Sequence, residues 1–531
     1  MAEDTKPRTF NPAGVPPPPP TYNHVCITPL IPGSVDLITL AGLTGIDRTS
    51  SSNPKTVREQ AFIAYQKIKT CLTAAKATPR DIVQVRHYIV KTTGPIIRIN
   101  PLQIHINDPD YFDEIYAGGG RIRDKVRDFH PVTEHDNRPT NIVGTRLHNK
   151  HRQRRAPFAQ YFSKRSIRSL EPLILSVVQR LVMRFHAQFL EQSIINLSDA
   201  YAALTADIIS VYCFGPDARY KSLELEEYGK DIRNTIQLVV QMNPITRHFP
   251  SLEGMAGKLP AWVAHLISPQ SGAMNDFIRD AARVIKIVLE DKGGVEKGAH
   301  KTIFEEIRDS DMPVGEKQPS RLILEVGLFI GAGTETTART LAVISFYLTE
   351  NKHVHDRLFK DLKEAMPSVD SPITLVELEK LPYLVGCVHE GLRLANSIPG
   401  RSARVAPDED LRYGEWIIPR GTPIMSSSLL FHTNPEIFSD PSKFEPQRWV
   451  DNPQLTHYMF AFSKGSRNCL GMNLAYAELY LAIAIMFRRF EFEMYDTAEE
   501  KDVLISRDAN FGLVDPTSVG IRAKIVKELK V

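Results

Sequence analysis

FSKGSRNCLG, residues 462–471, sets one of the chain's five cysteines between two glycines, with an arginine two positions before the sulfur. A cysteine that only fills a core needs none of these neighbours. A thiol, with an ordinary pKa of about 8.5, becomes a useful ligand only as the thiolate. Gly465 and Gly471 let the backbone turn tightly and aim N–H groups at the sulfur, which stabilises the anion. A helix starting near Met472 presents its positive end to the same atom. Cys469 can be read as an inert core thiol, a nucleophile or a metal ligand. No histidine lies nearby in sequence to serve a nucleophile as base, and the pattern favours the ligand.

Composition narrows the classes around this loop. The chain has 531 residues, 42% hydrophobic and 24% charged, an ordinary globular balance with ample material for a large core. A net charge of +3 is too mild for a nucleic-acid binder. Cys26, Cys71, Cys213, Cys387 and Cys469 are odd in number, far apart and without a CxxC, which argues against a disulfide scaffold or zinc ribbon and for a reducing compartment. No stretch reads as the ~18 uncharged apolar residues of a membrane span, so membrane association is expected to be peripheral at most. Residues 1–21, with prolines at 16 to 20, read as a disordered lead-in.

Along the chain, residues 22–93 read as a small α+β unit: strands, a helix over residues 54–76, and a further strand at VQVRHYIV. From residue 94 to 531 helices dominate. Long helices are expected over 164–189, over 319–348 (~45 Å at the helical rise) and over 472–488. Residues 399–450, with GEWIIPRGTPIM, read as short strands and meandering loop.

The full pattern Phe462-x-x-Gly465-x-Arg467-x-Cys469-x-Gly471 resembles the haem-binding loop of the cytochrome P-450 family, the haem-thiolate monooxygenases. The fold class implied is mainly α with a small β region over residues 94–531. Ala332-Gly333-Thr334-Glu335-Thr336-Thr337 sits near the middle of the 319–348 helix. Glycines and threonines are poor helix formers there, and a local distortion is expected. The stretch resembles the family's oxygen-activation motif, with Thr336 the alcohol and Glu335 the acid that pass protons to bound dioxygen. Glu390 and Arg393, at i and i+3, share a helix face. With Arg448 of Phe444-Glu445-Pro446-Gln447-Arg448-Trp449 they match the family's structural triad, a scaffold rather than chemistry. In Lys150-His151-Arg152-Gln153-Arg154-Arg155, His151 and Arg155 lie one turn apart. The resemblance implies that they hold the haem propionates together with Arg404 and Arg467, whose guanidinium geometry suits carboxylates.

INDPDYFDEIYAGGG, HRQRRAPFAQYFSKRSI and LPAWVAHLISPQSGAMNDF look most like the fungal branch of the family, which tailors lipophilic secondary metabolites such as terpenoids, polyketides and alkaloids. The implied cofactor is haem b with Cys469 as the axial iron ligand and Phe462 and Gly471 in its loop. The implied partners are dioxygen, a lipophilic substrate and an NADPH–cytochrome P-450 reductase, since no flavin or NADPH module is visible. The expected location is cytoplasmic or peripheral at the endoplasmic reticulum. Substrate contacts are expected from residues 125–147, 236–265, the helix face around Gly331, 395–403 and 508–513. YNHVCITPL, ITLAGLTGID and REQAFIAYQKIKTCLTAAKATPRDIVQVRHYIV resemble the first half of a Rid-family deaminase domain, without the later segment that supplies its active-site arginine. Three rivals stay open: a haem-thiolate isomerase or dehydratase, a catalytically inactive chimeric chain that only binds, and a Rid-type deaminase carrying a passenger domain.

Overall fold

Short alternating runs form strands β1 (Arg8–Phe10), β2 (Val25–Ile31) and β3 (Val35–Leu40), and apolar residues at helical spacing form α1 (Val57–Ala74). The strands pair antiparallel in the order β1-β2-β3, with Val25 opposite Leu40, and Cys71 and Leu72 of α1 are buried. This computed structural model describes residues 8–10, 25–31, 35–40, 57–77, 95–100, 102–126, 140–215, 220–248, 279, 282–283, 285–290 and 302–529. The chain divides into two compact units, Met1–Gly94 and Pro95–Val531. The helix expected over 54–76 is present as α1, while the strand expected at VQVRHYIV lies outside the described residues, as does most of the Pro-rich lead-in.

The second unit begins with β4 (Ile96–Asn100), β5 (Gln103–Ile106) and the two-residue β6 (Asp124–Lys125). Helices α2 (His148–Tyr161), α3 (Lys164–Ser169) and α4 (Glu171–Leu190) follow. The single helix expected over 164–189 is therefore two. Pro172 stands in the first turn of α4, where its missing N–H costs nothing, whereas a continuous helix would set its ring against the carbonyl of residue 168. Among the described helices α4 is the one long and apolar enough, by length and composition, to cross a membrane. Its apolar stripe Ile174, Val177, Val178, Leu181, Val182 and Phe185 is buried in the core, while Met183 and Leu190 of the same helix are exposed.

After β7 (Ile195–Asn196) come α5 (Leu197–Phe214), α6 (Lys230–His248), α7 (Ile303–Asp309) and the 32-residue α8 (Pro319–Glu350). Helices α5 and α8 pack along each other through the centre of the core. The distortion expected near Ala332–Thr337 is not seen, and α8 runs unbroken through this stretch. Its threonines satisfy their hydroxyls along the helix: Thr336 Oγ1 donates to Ala332 O (2.8 Å) and Thr340 Oγ1 to Thr336 O (2.9 Å).

Next are α9 (Lys352–Ala365) and α10 (Pro382–Ala395), then β8 (Arg404–Val405), β9 (Leu411–Tyr413), β10 (Trp416–Ile418) and β11 (Pro423–Met425). The five-stranded sheet runs β4-β5-β11-β8-β6, so strands from both ends of the unit meet. In that sheet Arg404 pairs with Lys125 on one side and Ile424 on the other. Helices α11 (Ser428–His432) and α12 (Gln447–Asp451) lead to the cysteine loop, followed by α13 (Met472–Arg489). The close passage of α10 over α8 requires Gly391: a Cβ there would sit 2.1 Å from Ile344 Cγ1.

Candidate active site

The cysteine loop is closed by its own backbone, with the Cys469 N–H donating to Phe462 O at 2.8 Å. Gly465 is required twice over. Its φ is +70°, and a Cβ would fall 2.0 Å from Tyr116 O, a backbone atom that cannot move aside. Gly471 carries no such demand: its φ is −83° and a Cβ would meet open space. What Gly471 contributes is its N–H, which reaches the Cys469 sulfur and favours the anion. Burial pushes the thiol up, against that N–H and the nearby Arg155. Cys469 nonetheless keeps exposed surface.

The predicted cations converge around this loop. Arg155 donates to Asn468 O (2.8 Å) and Asn468 Oδ1 (2.7 Å), which fastens α2 to the residue preceding the cysteine. Arg467 donates to Arg123 O (3.2 Å), Thr145 O (2.8 Å) and Arg146 O (2.6 Å). Arg404 is buried, donates to Ala403 O (3.1 Å) and lies 5.0 Å over the Tyr116 ring. His151 is buried on α2, and burial first, then Arg467, Lys125, Arg155 and Arg404, push its pKa down to about 2. Lys125, which sequence reasoning missed, is buried beside them, its Nζ 2.6 Å from Val143 O. Burial holds its pKa well below the usual lysine range, with Arg404 and Arg467 adding to the effect.

This cluster is a test of fit for haem. Burial, with Arg404, brings Arg467 down to about 9, and Asp124 offsets it in part. Arg155, Arg404 and Arg467 are buried or half-buried cations that lie close together, while His151 is neutral and Lys125 is held toward its neutral form; such a group favours a counter-charge beside it. A dianionic edge such as two propionates, with an iron facing the sulfur, matches both the charge and the chemistry of the donor set.

The acid and alcohol occupy the middle of α8. Glu335 is engaged by α6: Gln237 Nε2 donates to its Oε1 at 3.2 Å, and Arg233 Nε lies 3.5 Å from its Oε2. Arg233 is held in turn by Asp199 at 2.6 Å. Neither Arg233 nor Gln237 carries a sequence signal, because the pairing needs two helices about 100 residues apart to meet. Glycines 327 and 331 of α8 both open onto space a Cβ would not fill.

The scaffold residues form one buried network. Arg393 donates to both oxygens of Glu390 (2.7 and 2.8 Å) and to the carbonyls of His432, Pro441 and Lys443. Glu390 also accepts from Arg448 Nε (3.1 Å), Trp449 Nε1 (2.8 Å) and the Glu445 N–H (3.0 Å). Its two oxygens are therefore saturated, the condition under which a buried charge is tolerated.

Of the segments expected to contact substrate, 127–139 and 249–265 lie outside the described residues. Residues 236, 240, 509, 511 and 513 do come together, as a small apolar cluster of Ile236, Val240, Ala509, Phe511 and Leu513. A groove of about 820 Å³ beside the start of α2, lined by Asp124, His148, Lys150 and Arg152 among others, contains none of Cys469, Glu335 or Thr336.

The sequence profile of the cytochrome P-450 family matches residues 71–518. Similar proteins include cytochrome P-450 monooxygenase claJ of Penicillium crustosum, 36% identical over 445 residues covering 82% of this chain and 99% of the relative. Cytochrome P-450 monooxygenase tpcC of Cochliobolus heterostrophus is 37% identical over 455 residues, 82% of this chain and 85% of that one. Conidiogenone synthase of Penicillium rubens is 36% identical over 436 residues, with coverage of 81% and 85%.

Proposed function

This chain belongs to the cytochrome P-450 family as a monooxygenase, and from that premise we propose that Cys469 would supply the thiolate ligand of a haem, which His151, Arg155, Arg404, Arg467 and Lys125 would hold. The observation that carries the proposal is the exposed Cys469 in a loop beside the guanidinium groups of Arg155, Arg404 and Arg467. Haem bound there would supply the iron at which dioxygen is reduced and one of its oxygen atoms is passed to substrate. The chain's own residues then have separate tasks. The Gly471 N–H moderates the donor strength of the sulfur, and Arg155 fixes the loop through Asn468. Thr336 and Glu335 move protons toward the oxygen site, with Glu335 positioned by Arg233 and Gln237.

The substrate we propose is a lipophilic fungal secondary metabolite, a terpenoid, polyketide or alkaloid. The apolar cluster of α6 and residues 509–513 would form part of its pocket. The fungal relatives support this, one of them named for its product, conidiogenone. Electrons would come from NADPH through a separate reductase, with the chain peripheral at the endoplasmic reticulum. The first test is the reduced, carbon-monoxide-bound difference spectrum of the full chain. The red-shifted thiolate band is the expected result; the shorter-wavelength band, or no haem, would overturn the assignment of Cys469.

For residues 22–93 we propose a truncated Rid-like fragment. The antiparallel β2–β3 hairpin followed by α1, within a compact unit ending at Gly94, supports it. The cytochrome P-450 match begins at residue 71, inside α1, which weighs against it. Because the segment that supplies the family's active-site arginine is missing from the resemblance, the truncated reading predicts no imine hydrolysis by the full chain. Hydrolysis abolished on deleting residues 22–70 but kept on losing haem would overturn it in favour of a working deaminase.

A further inference from the structure

His432 sits at the end of α11, 1% exposed, between the scaffold network and the cysteine loop. Its backbone oxygen accepts from Arg393 Nη1 at 2.8 Å, so the residue is already seated on the Glu390–Arg393 pair. Its ring reaches two other elements. Nδ1 is 3.1 Å from Oδ1 of Asn396, and the backbone N–H of Phe460 points at Nε2 from 3.1 Å. A backbone N–H can only donate, so Nε2 carries no proton. The proton is then on Nδ1, where it is donated to the Asn396 amide oxygen. Both ring nitrogens are satisfied by one neutral tautomer, and by no other protonation state.

The two partners make this bond pair more than local packing. Asn396 caps the C-terminus of α10, the helix that carries Glu390 and Arg393, in the left-handed conformation at φ +40°. Phe460 leads into the cysteine loop: its carbonyl accepts from the Ser463 N–H, and two residues after it Phe462 O accepts from the Cys469 N–H. The Phe460 ring is wedged against Phe112 (4.0 Å) and Phe431 (5.0 Å) and lies parallel to the His432 ring at 6.5 Å. The imidazole is thus the rigid link from the end of α10 to the start of the loop.

We infer that His432 is a positioning residue for the iron ligand, holding the approach to the cysteine loop in register with α10 so that the Cys469 sulfur stands where a haem iron requires it. This rests on the haem-thiolate reading of Cys469. The charged group facing the ring is Arg393; burial first, and that guanidinium second, push the imidazole down to about 3, so the neutral form persists across the working range.

The test uses the full-length holoprotein and three variants. His432→Phe removes both bonds and keeps an aromatic plane, His432→Gln keeps one donor and one acceptor, and Asn396→Ala removes only the partner of Nδ1. Three quantities are measured: the fraction of thiolate-type carbon-monoxide band, the rate of haem transfer to apomyoglobin, and far-ultraviolet helicity. The expected result is native helicity in all, about tenfold faster haem loss with conversion to the non-thiolate band in His432→Phe, a smaller change in Asn396→Ala, and recovery toward wild type in His432→Gln. A wild-type thiolate fraction in a folded His432→Phe would overturn the inference. Should His432→Phe not fold, Asn396→Ala decides: an unchanged haem-loss rate there is equally fatal. A wild-type chain without the thiolate band would instead sink the reading of Cys469, and this inference with it.

Discussion

Arg155 grips Asn468 at both its backbone oxygen and its side-chain oxygen, at 2.8 and 2.7 Å, so that one guanidinium on α2 fixes the residue next to Cys469. Lysine, a point charge without the planar fork, cannot reproduce both bonds. Arg155→Lys is therefore expected to keep the fold and to lose haem about tenfold faster, and Arg155→Leu faster still. Equal retention in all three forms would show the grip to be incidental.

Removing the sulfur isolates its role. Cys469→Ser should leave helicity intact, since the loop's closure depends on the Cys469 N–H and on Gly465 rather than on the thiol. The reduced carbon-monoxide complex of any haem it retains should lack the thiolate band, and monooxygenation should vanish.

Glu390 poses the opposite case. It is fully buried and saturated by Arg393, Arg448, Trp449 and the Glu445 N–H. Glu390→Ala strands the buried Arg393 charge, a loss of about 3–5 kcal/mol. Insoluble or haem-free protein is expected on expression; a folded, haem-replete variant would contradict the network's scaffold role.

Proton delivery can be read from coupling. Thr336→Ala and Glu335→Gln should bind haem and substrate normally while product formation falls by about a hundredfold and peroxide released per NADPH rises. Because Arg233 lies 3.5 Å from Glu335, Arg233→Gln should alter the solvent isotope effect on turnover, a change that simple loss of α6 packing would not produce.

Glu325 gives a pH signature. It is fully buried on α8, and burial raises its pKa to about 7 despite Arg321 at 2.9 Å and the Ile142 N–H at 3.1 Å. Its folded value lies above the ordinary 4.5, so between those two values the folded chain binds more protons than the unfolded one. Stability should therefore fall as pH rises from 4.5 toward 7, by at most about 3 kcal/mol. Glu325→Gln should flatten the dependence in urea titrations across that range, and an unchanged slope would exclude Glu325 as its source.

Much of this was legible in residue order. The glycine-flanked cysteine, the long α8, the helix pair Glu390 and Arg393 and the one-turn spacing of His151 and Arg155 are local patterns, set by turn geometry and the helical repeat. The break at Leu170 was readable too, from Pro172, yet the amphipathic stripe running across it masked the boundary. An unbroken α8 was not readable, because poor helix formers near Gly333 are overridden by packing against α5, where a Cβ would stand 3.0 Å from Ile209 Cγ1.

What the sequence by itself determined is the glycine-flanked cysteine loop and the helices that frame it, since both follow from interactions within a few residues. Only the tertiary structure decided which groups complete the site. Lys125 enters through the pairing of β6 with β8, Asn468 through the reach of Arg155, Arg233 through the contact of α6 with α8, and His432 through a ring shared between Asn396 and Phe460. These partners are separated by tens to hundreds of residues. No periodicity or motif records them, and a buried charge or ring nitrogen finds its counterpart only when the chain has folded around it.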